Sequence, residues 1–411
     1  MYILYVCTID VQIMEELFDK SERRLKLVDL NFKRYLFPDV DDKERLIGIT
    51  GARGTGKTTL LMQKLKEKNV PANKAFYASM DDIYFSTHRL VDVAAEFSKN
   101  GGKYLFLDEV HKYETWSIEL KNIYDTYPEL NVMFTGSSVI EMAKTQGDLS
   151  RRAMVYKLES MSFREYLAYD LKLHFDPIPL ADLLSNHIAI AESLLDKGLE
   201  PLKHLEYFHK YGAYPYSLES KNTFHEKLRN TINVIIENDL AAAAGIDFST
   251  GLKIKKMLAA ISQSVPFKPN MNDLAAKIGA DRRNVYKYLD YLKRSRLINT
   301  LTSDEKNYNA MSKPEMIYLE NGSLAYALCE EKPEKGMLRE TFVYSQMNPK
   351  HHVSYTPAGD FLIDNKYIFE VGGKNKKFKQ IKNLPASHLA IDEIEVGHGN
   401  KIPMWLLGFL R

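Results

Sequence analysis

The chain has 411 residues, enough for two or three domains and more than one buried core. Its 45% hydrophobic and 27% charged residues are ordinary for a folded globular protein, and a net charge of +2 excludes a polycation that grips nucleic acid along its whole length. Two cysteines, Cys7 and Cys329, rule out a disulfide framework and a CxxC zinc motif.

A reducing cytoplasm fits that cysteine usage. No run approaches the roughly 18 apolar residues of a transmembrane helix, so no membrane partner is expected. Residues 1–10, MYILYVCTID, are apolar but too short for a signal or membrane segment, and read as an extra strand or a loose leader. Residues 45–50, RLIGIT, predict a short buried strand, and residues 57–66, KTTLLMQKLK, predict a helix. Between them GARGTGKT fills G-x-x-x-x-G-K-[ST] completely, through Gly51, Gly56, Lys57 and Thr58.

Each position has a chemical reason. Gly51, Gly54 and Gly56 let backbone amides approach an anion closely, and the first amides of the following helix carry the positive end of its dipole. Lys57 adds a point charge near the outer phosphates, and Thr58 offers a hydroxyl to Mg²⁺. The predicted ATP-binding set is Gly51, Arg53, Gly54, Thr55, Gly56, Lys57, Thr58 and Thr59. A plain glycine turn capping a helix is the bland alternative, disfavoured by a filled motif in strand–loop–helix context.

Residues 74–80 predict a second strand and residues 86–100 a helix. Residues 103–110, KYLFLDEV, predict a buried strand ending in Asp108 and Glu109. Carboxylates after an apolar run are costly unless a cation or a water needs them. Asp108 is placed to hold Mg²⁺ and Glu109 to orient and deprotonate the attacking water. A fourth strand, NVMFTGSS at 131–138, offers Thr135 or Ser137 as a polar sensor of the γ-phosphate; a helix cap is the equal alternative. A fifth follows at 153–158. Arg151 and Arg152, just before it, suit an arginine finger acting in cis or from a neighbouring subunit, or a solvated surface pair.

This order of segments, with LFLDEVHKYETWSIELKNIYD, FTGSS, LESMSFREYL and YGAYP, resembles the AAA+/STAND-like ATPases of bacteria and archaea. Within them it resembles an uncharacterised family with a C-terminal restriction-endonuclease-like domain. The resemblance implies a P-loop NTPase three-layer αβα domain of the AAA+/ASCE type over residues 1–160, with ATP and Mg²⁺ as cofactors. It also implies a helical lid over 161–265, where the sequence is helical and shows no catalytic constellation.

Residues 271–301 read as a helix-turn-helix with the first strand of a wing, placing a winged helix at 266–320. Asn272 is expected to cap its first helix, Gly279 to end it and Asp281 to cap the second, which exposes Arg282, Arg283, Lys287, Lys293 and Arg294. These could reach DNA, or the module could serve internal packing. Residues 321–411 predict an α/β domain resembling PD-(D/E)xK nucleases, with Asp360 and Glu370 as a second metal site and Glu340 on a helix. The lysine position, two after Glu370, is Gly372. Lys374 would substitute only if the strand bulges. Lys366, Lys374, Lys376, Lys377, Lys379 and Lys382 form a solvated face or a phosphate-backbone patch. His351 and His352 lack metal spacing and read as a surface pair.

Overall fold

The computed structural model describes residues 15–136, 149–263, 268–303, 313–377 and 381–411. Residues 1–14, Ser137 and Lys379, for which the sequence carries expectations, lie outside the described residues. The chain divides into two compact units, Met1–Glu159 and Ser160–Arg411.

The first unit opens with helix α1 (residues 15–26) and an irregular segment over residues 27–45. It then alternates β1 (Leu46–Gly51), α2 (Lys57–Glu67), β2 (Ala75–Ser79), α3 (Leu90–Lys99), β3 (Tyr104–Asp108), α4 (Trp116–Thr126), β4 (Asn131–Gly136) and β5 (Met154–Leu158). The five strands form one parallel sheet in the order β2-β3-β4-β1-β5. Strand β4 therefore separates the acidic strand β3 from the P-loop strand β1.

Near-continuous apolar strands bury both faces of such a sheet. Leu46, Phe76, Leu105, Leu107, Val132 and Phe134 enter one core with Leu90, Phe97 and Leu120 of α3 and α4. The alternate residues Ile47, Ile49, Tyr77, Phe106 and Met133 enter the other, with Leu60, Leu61 and Leu65 of α2. This period of two has a chemical consequence. Asp108 and Thr135 continue the face of Phe106 and Met133, on the side that α2 and Tyr77 occupy.

The second unit begins with helices α5 (Phe163–Asp170), α6 (Leu180–Asp196), α7 (Pro201–Tyr207), α8 (Phe224–Val234), α9 (Leu240–Ala244) and α10 (Phe248–Ser262). Two shorter helices follow, α11 (Met271–Ile278) and α12 (Arg282–Arg294), then an antiparallel pair, β6 (Ile298–Leu301) and β7 (Met316–Leu319). Asn270, not Asn272, caps α11: its side chain accepts the Asn272 amide N–H at 3.1 Å, so Asn272 lies one turn position inside the helix. Gly279 ends α11 in the left-handed region, and Asp281 caps α12 by accepting from Asn284 N at 2.9 Å. Val285, Tyr288, Leu289 and Leu292 form the buried stripe of α12.

Helices α13 (Gly322–Leu328) and α14 (Lys335–Met347) lead into a mixed sheet of β8 (Val353–Ser354), β9 (Phe361–Ile363), β10 (Tyr367–Gly372), β11 (Ser387–Ile391) and β12 (Lys401–Pro403). Its order is β12-β11-β10-β9-β8, with the β8–β9 and β9–β10 pairs antiparallel and the β10–β11 and β11–β12 pairs parallel. Among the described residues no helix is long and apolar enough to cross a membrane.

Candidate functional site

The loop between β1 and α2 is shaped by what glycine permits. Gly54 and Gly56 adopt φ of 82° and 93°, where a side chain is disfavoured. A Cβ on Gly51 would stand 2.2 Å from the Leu158 carbonyl oxygen of β5. Gly56 is the N-cap of α2, no side chain caps that helix, and its first turn holds no acidic residue. The helix N-terminus is left as a concentration of backbone donors.

Lys57 is buried, its Nζ donating to the carbonyl oxygens of Gly51 at 3.1 Å and Ala52 at 2.8 Å. Thr55 is buried and donates to the Ala52 oxygen at 2.9 Å, which ties the loop to itself. Arg53 and Thr58 are half-buried and Thr59 is exposed.

The acidic pair sits at the end of β3. Asp108 is buried, and both of its oxygens are engaged. One accepts from the Thr135 hydroxyl and the other from Tyr77 Oη at 3.0 Å. Thr135 also accepts the Glu109 amide N–H at 3.1 Å, so its hydroxyl serves both carboxylate residues at once. That occupation ties Thr135 to both residues of the acidic pair. Glu109 itself adopts φ 53°, a strained conformation for a residue with a side chain, and its carboxylate is partly open.

His111 faces that carboxylate. Its Nε2 lies 3.5 Å from Glu109 Oε2, and only 4% of its side chain is exposed. Burial, with the positive charges of Lys112, Lys57 and Arg53, pushes its pKa down to about 3, so the ring is neutral at ordinary pH. Tyr77 is held above the usual phenol range by burial and then by the Asp108 charge, and it accepts from Arg24 Nη1 of α1 at 2.6 Å. A chain Arg24–Tyr77–Asp108 thus runs from the N-terminal helix to the acidic strand.

Tyr77, Arg24 and His111 escaped the reading of the sequence. The parity of neighbouring strands carried a signal for Tyr77, since it shares the face of Phe106. Arg24 had none. Arg152 donates to Asp125 through two bonds, Nε to Oδ1 at 2.8 Å and Nη2 to Oδ2 at 2.9 Å. Arg151 is exposed.

Residues 43–167 match the family model described as an AAA domain. With the parallel sheet and the loop geometry, the first unit carries an AAA-type P-loop ATPase domain. Residues 202–335 match a domain of unknown function, DUF8612. Over 90% of its length the chain is 27% identical to an uncharacterized protein of Methanocaldococcus jannaschii, MJ1637, covering 85% of that protein. Among solved structures it is similar to the Walker-type ATPase PABY2304 of Pyrococcus abyssi, at 13% identity and TM-score 0.41, over 74% of this chain and 99% of that one. It is also similar to the Aeropyrum pernix ORC1 protein in complex with DNA, at 12% identity and TM-score 0.30, over 76% of this chain and 92% of that one.

A second constellation lies in the C-terminal sheet. Asp360, ahead of β9, accepts the Val371 amide of β10 at 2.7 Å. Glu370 is buried on β10, and its Oε2 has no partner among the described residues. Burial, then the Asp360 charge, raises Glu340 on α14 to about 7, and Tyr318 Oη donates to it at 3.1 Å. Burial also raises Asp360.

The amine found beside Glu370 is that of Lys376, whose Nζ lies 2.7 Å from Glu370 Oε1. The reason is a turn closed by Lys376 N to Gly373 O at 2.8 Å, which folds residue 376 back over Gly372. A Cβ on Gly372 would lie 2.5 Å from the Lys376 Cβ, so the glycine in the lysine position makes room for the later lysine. Among the described residues no group of three or more His, Cys, Asp or Glu side chains has the arrangement of a metal cluster. His351 is paired with Asp364 at 2.7 Å.

Proposed function

We propose that this protein binds Mg-ATP on Gly51–Thr59 and hydrolyses it, using the cycle to rearrange its helical and C-terminal domains. The observation that carries this reading is the shared hydroxyl of Thr135, which fixes Asp108 and the Glu109 backbone on the sheet face that the P-loop helix covers. Lys57 and the α2 amides hold the phosphates. Thr58 and Asp108 would hold Mg²⁺, which supplies charge neutralisation between phosphate oxygens. Glu109 orients and deprotonates water, and the neutral His111 ring beside it limits where the carboxylate can swing.

Exposed Arg282, Arg283, Lys287 and Lys293 on α12, with the β6–β7 pair behind it, support DNA as a partner of a winged helix. Arg294 is drawn aside by Asp290 at 2.8 Å. ATP turnover of the full chain, measured alone and with single- or double-stranded DNA, tests both parts. No turnover under any condition overturns the ATPase reading. Turnover indifferent to DNA removes DNA as the effector.

One observation favours a second reading, an ATP-dependent nuclease. Lys376 against Glu370, beside Asp360 and Glu340, rebuilds around Gly372 the carboxylate–amine set that a metal-dependent phosphodiesterase needs. Asp360 and Glu370 would hold Mg²⁺, an ion content with one or two carboxylates when water and phosphate complete its shell. The orphaned Glu370 Oε2 fits such a role.

A further inference from the structure

The irregular segment before β1 is threaded along α2. Three α2 side chains hold it by its carbonyls: Lys66 on Val28 at 2.7 Å, Gln63 on Asp29 and Phe32 at 2.8 Å each, and Lys64 on Val40 at 3.2 Å. This path carries Arg34 beneath the P-loop, where only 4% of the residue remains exposed.

The Arg34 guanidinium donates through Nη1 to the carbonyl of Thr55 and through Nη2 to the carbonyl of Glu159 at 2.7 Å. Thr55 belongs to the phosphate loop, and Glu159 follows β5, the strand paired with β1 at Gly51–Leu158. Tyr35 holds the same end of β5 independently, donating to Lys157 O at 3.1 Å and accepting from Glu159 N at 3.4 Å.

A trans peptide is planar, with its C=O and the next N–H pointing in opposite directions. Fastening the Thr55 oxygen on Arg34 therefore turns the Gly56 N–H away from the guanidinium. Gly56 is also the N-cap of α2, and its left-handed φ of 93° gives that peptide plane the freedom to turn. A buried charge directly behind the loop adds positive potential in a region where screening is weak.

We propose that Arg34 is a positioning residue of the polyphosphate site: by pinning the Thr55 carbonyl it aims the Gly56 amide at the phosphate chain. This rests on the ATP-binding reading. The affected ligand chemistry is the triphosphate tail, so ATP and inorganic tripolyphosphate depend on Arg34 alike.

The test is calorimetric titration of the full chain with each of the two ligands, in the wild type, Arg34→Met, Arg34→Lys and Tyr35→Phe, with a thermal melt of every variant. Arg34→Met should weaken both ligands by the same factor, about 10- to 100-fold, the scale of a charge-assisted hydrogen bond and its dependent donor. Arg34→Lys, which keeps the charge but not the two-pronged grip, should recover part of that loss. Tyr35→Phe, which loosens the end of β5 without touching Thr55, should bind as the wild type does.

Wild-type affinity in a folded Arg34→Met overturns the assignment, and so does an equal loss in Tyr35→Phe. If Arg34→Met does not fold, Arg34→Lys decides: a loss of about threefold or more in both ligands supports the role, and unchanged binding overturns it. Wild-type protein that binds neither ligand overturns the nucleotide reading itself, and this assignment with it.

Discussion

The hydroxyl of Thr135 donates to the Asp108 carboxylate while accepting the backbone N–H of Glu109. One buried oxygen on β4 thereby fixes the orientation of the Asp108 carboxylate and of the turn at Glu109 that follows β3. Replacing Thr135 with Val removes both bonds at nearly constant volume. It should cost about 1–3 kcal/mol of stability, because a buried acceptor and a donor lose their partner. ATP affinity should stay near wild type while turnover falls about 10- to 100-fold through misplacement of Glu109. Parallel titration and turnover assays check this, and an equal loss in both would move Thr135 from positioning to binding.

Lys57 is preformed, its amine resting on the carbonyls of Gly51 and Ala52. Lys57→Ala should weaken ATP by at least about tenfold, since a charge-assisted phosphate contact is lost. Fluorescent-nucleotide titration measures it. Unchanged affinity would contradict the phosphate site.

Glu109→Gln keeps the shape of the side chain and removes the carboxylate proposed as the base. ATP should still bind, and turnover should fall by about 10²- to 10⁴-fold. Single-turnover chromatography of bound nucleotide should find unhydrolysed ATP; normal product formation would transfer the base role elsewhere.

Lys376 and Lys374 separate the nuclease reading from a solvated lysine face. Magnesium-dependent nicking of supercoiled plasmid should be lost in Lys376→Met and kept in Lys374→Met, because Lys376 is the lysine paired with Glu370 among the described residues. Equal nicking by both variants would mean the amine at Glu370 takes no part.

His209 gives a pH signature in the second unit. Burial pushes its pKa from 6.5 down to about 4. Between these values the unfolded chain binds a proton that the folded unit refuses, so stability rises with pH across the window and is lost as pH falls toward 4. The slope reaches about 1.4 kcal/mol per pH unit for one such group. The two tryptophans, Trp116 and Trp405, lie one in each unit, so urea unfolding read from Trp405 in a Trp116→Phe background follows this unit. His209→Gln should flatten the curve between pH 4 and 6.5; an unchanged slope would place the proton uptake on another group.

What the amino-acid order determined by itself was everything whose physics is local. A filled glycine–lysine motif between a strand and a helix, an apolar run ending in Asp108 and Glu109, and Asp281 ahead of an amphipathic helix each act within a few residues, and each was legible. The Asn270 cap shows the margin of such reading: two asparagines stood close together, and only the backbone bend decided which one capped. Ser137 and the Arg151–Arg152 pair were legible as residue types, but their use depends on geometry that spacing does not encode.

Tertiary structure decided the rest. Tyr77 reaches Asp108 across 31 positions of sequence and Arg24 reaches Tyr77 across 53, while Arg34 reaches Thr55 across 21 and Glu159 across 125, through strand order and the path of a segment with no periodicity of its own. Lys376 took the place that Gly372 leaves open because a turn after β10 folds it back over that glycine. Spacing along a chain predicts which groups share a helix face or a strand face. It does not predict which distant side chain fills a space, since that depends on packing, where every neighbouring element acts at once.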